Sequence, residues 1–330
     1  SSIKNSSVIL TGSKRMRERP ISILVDALRE LEVNITYLEN EGYPPIRING
    51  RVINKKRVNL PANVSSQYIS SLMMLGVSLQ NGLVINLSTE ITSLPYIEMT
   101  KKIIERIGGN VKLQSNQILI NSLSNKKIPT QLVESDWSSA SYFYSIVALS
   151  DLSDLTLNTY YEKSIQGDTK LVEIYKNFGV KTTFTGNRIH LSKSNLKIEK
   201  KISLDLSNNP DLAQTIVVTC LGLGVDCDLY GLHTLKIKET DRLKALKSEI
   251  EKFGVDKIEI TENSLHLENK SPLKSNISIE TYDDHRMAMS FVPLSLLNPI
   301  KINDPLVVTK SYVNFWDHLE KLGFEISKNK

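Results

Sequence analysis

Cysteine is nearly missing from this sequence, with Cys220 and Cys227 the only two. Two thiols cannot build a disulfide framework, so a reducing, cytoplasmic setting is expected; both sit among apolar residues, as small core residues do. Long apolar runs are missing as well. None reaches the ~18 residues that argue for a membrane helix, so no membrane partner is expected. Ser1 to Asn5 show no apolar signal region followed by small residues. No pair of histidines or cysteines has metal-ligand spacing, so no metal is expected. A Gly-x-x-x-x-Gly-Lys-Ser/Thr loop is absent, which argues against a nucleotide kinase, and so is a Gly-x-Ser-x-Gly elbow. Aromatic residues make up only 6% and do not interleave with a basic stripe, so nucleic acid is not an expected partner.

What is present is ordinary for a globular protein, with 40% hydrophobic and 23% charged residues. A length of 330 residues argues for about two domains, at ~100–200 residues each. The net charge of +5 fits either a lysine-rich surface or a cleft for small anions.

The most informative feature is an internal repeat. Ile103–Leu113, Leu171–Thr183 and Leu246–Ile260 each begin with apolar residues at helical spacing. Each then meets a glycine that suits the left-handed close of a helix, at Gly108, Gly179 and Gly254. A strand, a short polar turn (Ser115-Asn116, Gly186-Asn187, Glu262-Asn263) and a second strand are expected next. Gly323 repeats the helix and its close, about seventy residues on. An earlier copy runs from the helix Ile23–Leu31 to the strands Asn34–Tyr37 and Ile46–Ile48. A further helix is expected in each unit, at Ser66–Ser78, Ser138–Leu149, Asp211–Leu223 and His285–Leu297, followed by a strand such as Leu83–Leu87 or Leu155–Leu157. A period near seventy exceeds the ~20–50 residues of a solenoid and points to a duplicated helix-and-sheet unit. By this phase the chain opens inside a unit, so a preceding segment is expected. Pro129 and the polar run Ser122–Lys127 suggest a boundary that divides the chain into 1–133 and 136–330.

Four clusters stand out for chemistry. Lys238-Glu239-Thr240-Asp241-Arg242-Leu243 opens a helix. It reads either as a solvated first turn capped by Thr240 or Asp241, or as an anion site with a carboxylate placed to move protons. Tyr282-Asp283-Asp284-His285-Arg286 also opens a helix, with Asp283 or Asp284 as its cap. It then places His285 and Arg286, read as cations, at the positive end of the helix dipole, which favours a bound anion. Val64-Ser65-Ser66-Gln67 offers hydroxyls and free N–H groups at a helix start, suited to phosphate or to plain capping. Arg15-Met16-Arg17-Glu18-Arg19-Pro20 is a basic turn with proline at a helix start, or a surface charge run. Asp211 can be a plain cap and Lys310 a plain surface lysine.

Together these stretches resemble the EPSP synthase family. The resemblance rests on Leu10-Thr11-Gly12, Arg15 to Pro20, Ser65-Ser66-Gln67, Ser93-Leu94-Pro95-Tyr96, Asp136-Trp137-Ser138-Ser139-Ala140-Ser141-Tyr142, Pro210-Asp211, Lys238 to Leu243 and Asp284-His285-Arg286-Met287-Ala288-Met289, in the family's order. It implies an α/β (α+β) enolpyruvyl transferase fold of two lobes, each built from three βαβαββ-type units. Four complete units and part of another are expected here. The resemblance also implies that the family's opening segment of about a hundred residues, which carries phosphate-binding groups, is expected to be missing from these 330 residues. Little or no turnover is therefore expected of the 330 residues by themselves.

The resemblance implies a transfer of the enolpyruvyl group of phosphoenolpyruvate to the 5-hydroxyl of shikimate 3-phosphate. Ser65, Ser66, Gln67 and Ser93 are expected to hold shikimate 3-phosphate, mostly at its phosphate, with Asp211 and Lys238 at its ring hydroxyls. Arg19, Arg242, Arg286 and Lys310 are expected around phosphoenolpyruvate, with Gln67 shared between the substrates. Catalytic roles fall to Asp211, Glu239 and Lys310. Thr234 departs from the asparagine of many relatives, which leaves that position's role open. No cofactor and a monomeric state are expected. UDP-N-acetylglucosamine enolpyruvyl transferase shares the fold, but neither Cys220 nor Cys227 has that family's Arg-Pro-Cys context. A non-catalytic fragment is the reading from another class.

Overall fold

A computed structural model describes residues 2–3, 5–63, 65–123, 128–151 and 154–327. Val64 of the serine cluster and most of the polar run Ser122–Lys127 lie outside the described residues. The chain divides into two compact units. One comprises 1–133 with the short returns 163–167 and 207–209; the other comprises 134–162, 168–206 and 210–330. Nothing in the local composition of either return marks it as belonging to the first unit.

The first unit begins with β1 (Ser7–Leu10), the short helix α1 (Lys14–Arg17), α2 (Ser22–Glu30), β2 (Asn34–Tyr37) and β3 (Ile46–Asn49). Its three strands pair in the order β1-β3-β2. Pro20 does not open a helix as expected. The α2 helix starts at Ser22 with Ile21 as its cap, so the proline lies just outside.

A complete copy of the repeat follows: β4 (Arg57–Leu60), α3 (Ser66–Ser78), β5 (Leu83–Leu87), α4 (Leu94–Arg106), β6 (Val111–Leu113) and β7 (Gln117–Ile120). Its sheet has the order β4-β5-β7-β6, with β4 and β5 parallel and the remaining pairs antiparallel. Apolar residues every second position bury one face, as in Val58, Leu60, Leu83, Ile85 and Leu87. Ile69, Leu72, Met73 and Gly76 of α3 bury a stripe at helical spacing.

The second unit carries α5 (Trp137–Leu149), β8 (Asp154–Asn158), α6 (Leu171–Lys176), β9 (Val180–Thr185) and β10 (Arg188–Lys193), with sheet order β8-β10-β9. Another complete copy follows: β11 (Lys201–Asp205), α7 (Ala213–Leu223), β12 (Asp226–Tyr230), α8 (Arg242–Glu251), β13 (Lys257–Ile260) and β14 (Ser264–Glu268). Its order, β11-β12-β14-β13, repeats that of the first complete copy. The chain then forms β15 (Ile277–Ile279), α9 (His285–Phe291), β16 (Ile300–Ile302) and α10 (Phe315–Lys321), with β15 and β16 parallel.

Among the described residues, two copies close all four strands into one sheet, against the four expected. The α5–β10 copy pairs three strands and the last copy pairs two. The expected helix Asp211–Leu223 becomes a 3-10 turn over Pro210–Leu212 and then α7. The helix expected to reach Leu297 changes to 3-10 geometry after Phe291, where Pro293 lacks the N–H that an α-helix needs. Gly108, Gly179, Gly254 and Gly323 all have positive φ, which closes each second helix as its position predicts.

The α5 and α7 helices are buried almost all round, and their hydroxyls pair with one another. Thr219 joins Tyr175 and Ser145 at 2.8 Å each, and Ser141 meets Thr215 at 2.9 Å. Both cysteines are buried and free, as expected of small core residues. Among the described residues no helix is long and apolar enough to cross a membrane.

Candidate functional site

The residues singled out in the second unit all lie between a strand's carboxyl end and the next helix. Asp211 sits in the 3-10 turn between β11 and α7, Lys238 to Arg242 between β12 and α8, Asp284 to Arg286 between β15 and α9, and Lys310 between β16 and α10. That end of an open parallel pair is where loops gather and helix N–H groups are free.

The Arg242 side chain is 1% exposed and spends its guanidinium on three carboxylates. Its Nε donates to Asp284 Oδ2 at 2.6 Å, Nη1 to Asp211 Oδ1 at 3.0 Å and Nη2 to Glu239 Oε2 at 2.7 Å. Asp211 is not a plain cap. Its other oxygen accepts from Arg286 Nη2 at 3.1 Å, and Lys238 Nζ lies 3.5 Å from Oδ1. Asp284 is fully buried and does two jobs, accepting from Arg242 and capping α9 through the Arg286 N–H at 2.9 Å. Asp241, rather than Thr240, caps α8. Lys310 donates to the Asp283 carbonyl at 2.9 Å.

Three acids and three bases thus neutralise one another in a poorly hydrated place. Burial pushes the Asp211 carboxyl up, but Arg286, Lys238 and Arg242 outweigh it and hold the group well below the usual carboxylate range. Burial likewise opposes ionisation of Asp284, and Arg242 overcomes it. The guanidinium of Arg286 is held charged against burial, chiefly by Asp211. His285 is different. Burial and then Arg286 push it below its ordinary value, so it sits neutral beside Arg286 rather than adding a second cation to the first turn of α9.

In the first unit, Ser65 caps α3 and accepts from the Gln67 N–H at 3.3 Å. Ser66 is buried and Gln67 is exposed. Ser93 begins α4 in a left-handed conformation with no side-chain cap bond, and its hydroxyl reaches the Ser207 carbonyl at 3.4 Å. Tyr68, one residue after Gln67, donates to the Pro20 carbonyl at 2.5 Å. This brings the turn that carries Arg19 against the start of α3. No local pattern around Tyr68 marks it for that role.

The sequence pattern of the family described as EPSP synthase (3-phosphoshikimate 1-carboxyvinyltransferase) matches residues 1–319. The chain belongs to the EPSP synthase family. It is 44% identical to the 3-phosphoshikimate 1-carboxyvinyltransferase of Bacteroides fragilis over 320 residues, covering 96% of this chain and 78% of that protein. It is 36% identical to the enzyme of the same name from Histophilus somni, covering 98% of this chain and 74% of that one. EPSP synthase from Acinetobacter baumannii has the same fold, with a TM-score of 0.74 at 22% identity over 99% of this chain and 76% of that one. The enolpyruvyl transferase NikO from Streptomyces tendae shares it too, with a TM-score of 0.71 at 11% identity over 98% of this chain and 74% of that one.

Within the family frame, the sequence reading found Asp284 only as a cap. Its second role, as the carboxylate that buries with Arg242, depends on a residue 42 positions away.

Proposed function

We propose that this protein transfers the enolpyruvyl group of phosphoenolpyruvate to the 5-hydroxyl of shikimate 3-phosphate and releases phosphate. The observation that carries the reading is the saturated ion network of Asp211, Glu239, Arg242, Asp284 and Arg286 in a member of this family. Phosphoenolpyruvate brings a phosphate and a carboxylate, and each suits a guanidinium fork. Arg242 and Arg286 are assigned to it, with Lys310, Arg19 and Gln67. Ser65, Ser66, Gln67 and Ser93 are assigned to shikimate 3-phosphate, with Asp211 and Lys238 at its ring.

The bond changes follow from the substrates. The 5-hydroxyl oxygen attacks C2 while C3 takes a proton, giving a tetrahedral intermediate. Loss of a C3 proton then expels phosphate. Glu239 is assigned the C3 proton in both directions, and Asp211 the hydroxyl proton. As it stands, Asp211 is a poor base, because three cations hold it ionised. An incoming anion changes that balance: each donor that Arg242 or Arg286 turns toward phosphoenolpyruvate is withdrawn from Asp211 or Glu239. Substrate binding therefore raises the basicity of Asp211 and releases Glu239 from its ion pair with Arg242. Lys310 and the arginines stabilise the charge that develops on the leaving phosphate.

The test is phosphate release by the protein as its gene encodes it. Release is expected only when both substrates are present. Equal release from phosphoenolpyruvate alone would mark a phosphatase and end this reading.

A further inference from the structure

The loop between β15 and α9 holds an unusual turn. Tyr282 and Asp283 both have positive φ, +53° and +57°, and the turn is closed by the Asp284 N–H on the Thr281 carbonyl at 2.8 Å. Primed turns of this kind favour asparagine, aspartate or glycine at their centre. Asp283 fits that preference. A bulky tyrosine does not, and a left-handed residue of that size persists only where its surroundings over-determine it.

Glu249 is what over-determines it. This residue lies on α8, seven positions after Arg242 and so two turns along the same face. Its side chain is fully buried. One oxygen accepts from Tyr282 Oη at 2.7 Å. The other accepts from the Glu280 N–H at 3.0 Å and from Lys252 Nζ at 2.5 Å. Lys252 also donates to the Ser278 carbonyl at 2.9 Å. Burial and Glu249 push the Tyr282 hydroxyl up to about 12, so it stays a donor throughout the neutral range. The α8 helix therefore grips one loop twice, through Arg242 on Asp284 and through Glu249 on Glu280 and Tyr282.

We propose that Glu249 is a positioning residue, which through Tyr282 and Glu280 sets the strained turn that aims Asp284, Arg286 and the Asp283 carbonyl. Three functional side chains depend on that turn. Asp284 fixes Arg242, the Asp284 cap fixes the start of α9 at Arg286, and the Asp283 carbonyl holds Lys310. Glu249 is given no contact with substrate and works only through the turn. The inference rests on the phosphoenolpyruvate assignment above for its consequence, and on the turn alone for its geometry.

Two variants and two readouts test it. Tyr282→Phe removes one hydroxyl and keeps the ring, so it should fold; Glu249→Gln removes the buried charge. Amide exchange over 278–286 is expected to quicken at least tenfold in both, with the rest of the second unit unchanged. The KM for phosphoenolpyruvate is expected to rise about tenfold in Tyr282→Phe, with the KM for shikimate 3-phosphate within about twofold of wild type. Unchanged exchange in Tyr282→Phe overturns the clamp. Faster exchange with an unchanged KM for phosphoenolpyruvate overturns the positioning role. A wild-type protein that releases no phosphate defeats the functional reading instead, and calorimetric binding of phosphoenolpyruvate to the wild type and Tyr282→Phe then decides the positioning role on the same tenfold scale.

Discussion

The two complete copies of the repeat, 57–120 and 201–268, share one sheet order and differ in what they place at its functional end. In the first copy, the loops after the two parallel strands present Ser65, Ser66, Gln67 and Ser93. These are neutral hydrogen-bonding groups at helix starts. In the second copy the corresponding loops present Asp211, then Lys238, Glu239 and Arg242. There the groups are charged and paired with one another around the buried Arg242. One backbone frame therefore presents neutral hydroxyl and amide groups in one place and a balanced set of charged groups in another. The frame supplies the free N–H groups and strand ends; the side chains decide whether they bind or react.

If that contrast is correct, damage to the second copy costs both fold and chemistry, whereas damage to the first costs mainly binding. The largest effect is expected from Arg242→Met. It leaves Asp284, Asp211 and Glu239 without their shared cation, and stranding a buried charge typically costs about 3–5 kcal/mol. Urea denaturation should show that loss, and phosphate release should fall below detection. A variant as stable as wild type would break the claim that the network holds the second unit together.

Ser65→Ala is expected to act more mildly. It removes a helix cap, for about 1 kcal/mol of stability. It also removes a donor to a charged group, for roughly tenfold in the KM for shikimate 3-phosphate. Turnover at saturation should stay within about twofold. A large fall in kcat with KM unchanged would erase the distinction between the copies.

The smallest effect concerns pH. His285 is held below its ordinary value of 6.5 in the folded protein, so the unfolded chain binds a proton first as pH falls through about that point. Stability from neutral His285 is fully present above that point and drains away as pH falls toward the folded value. Asp211 and Asp284 are also held low, so their contribution is kept to lower pH and lost as pH falls below about 4. The urea midpoint of wild type should begin to fall below about pH 6.5. That of His285→Asn should stay level down to about pH 5.

Much of the frame was legible in the sequence because its signals are local. Ser66–Ser78 and Leu83–Leu87 match α3 and β5 to the residue, the first through helical spacing after a serine cap and the second through a short run after Gly82 that carries the β-branched Val84 and Ile85. The glycines marked the helix closes because φ is positive at each. Side chains that meet over long separations left no such trace. Arg242 was readable as a cation, but its full engagement by three carboxylates depends on partners 3, 31 and 42 residues away. Glu249 looks like any acidic residue of an amphipathic helix, and nothing near Tyr282 announces a left-handed tyrosine. His285 was readable as a cation only while its burial was unknown.

The most direct measurement is the steady-state kinetics of Glu239→Gln. The substitution keeps the shape of the side chain and a hydrogen-bonding amide near Arg242, but removes the carboxyl group proposed to exchange a proton with C3. The expected result is a fall in kcat of about 10²–10⁴-fold, with both substrates bound within about threefold of wild type. A kcat within about twofold of wild type would remove Glu239 from the chemistry, and with it the claim that the charged copy of the repeat is where the reaction takes place.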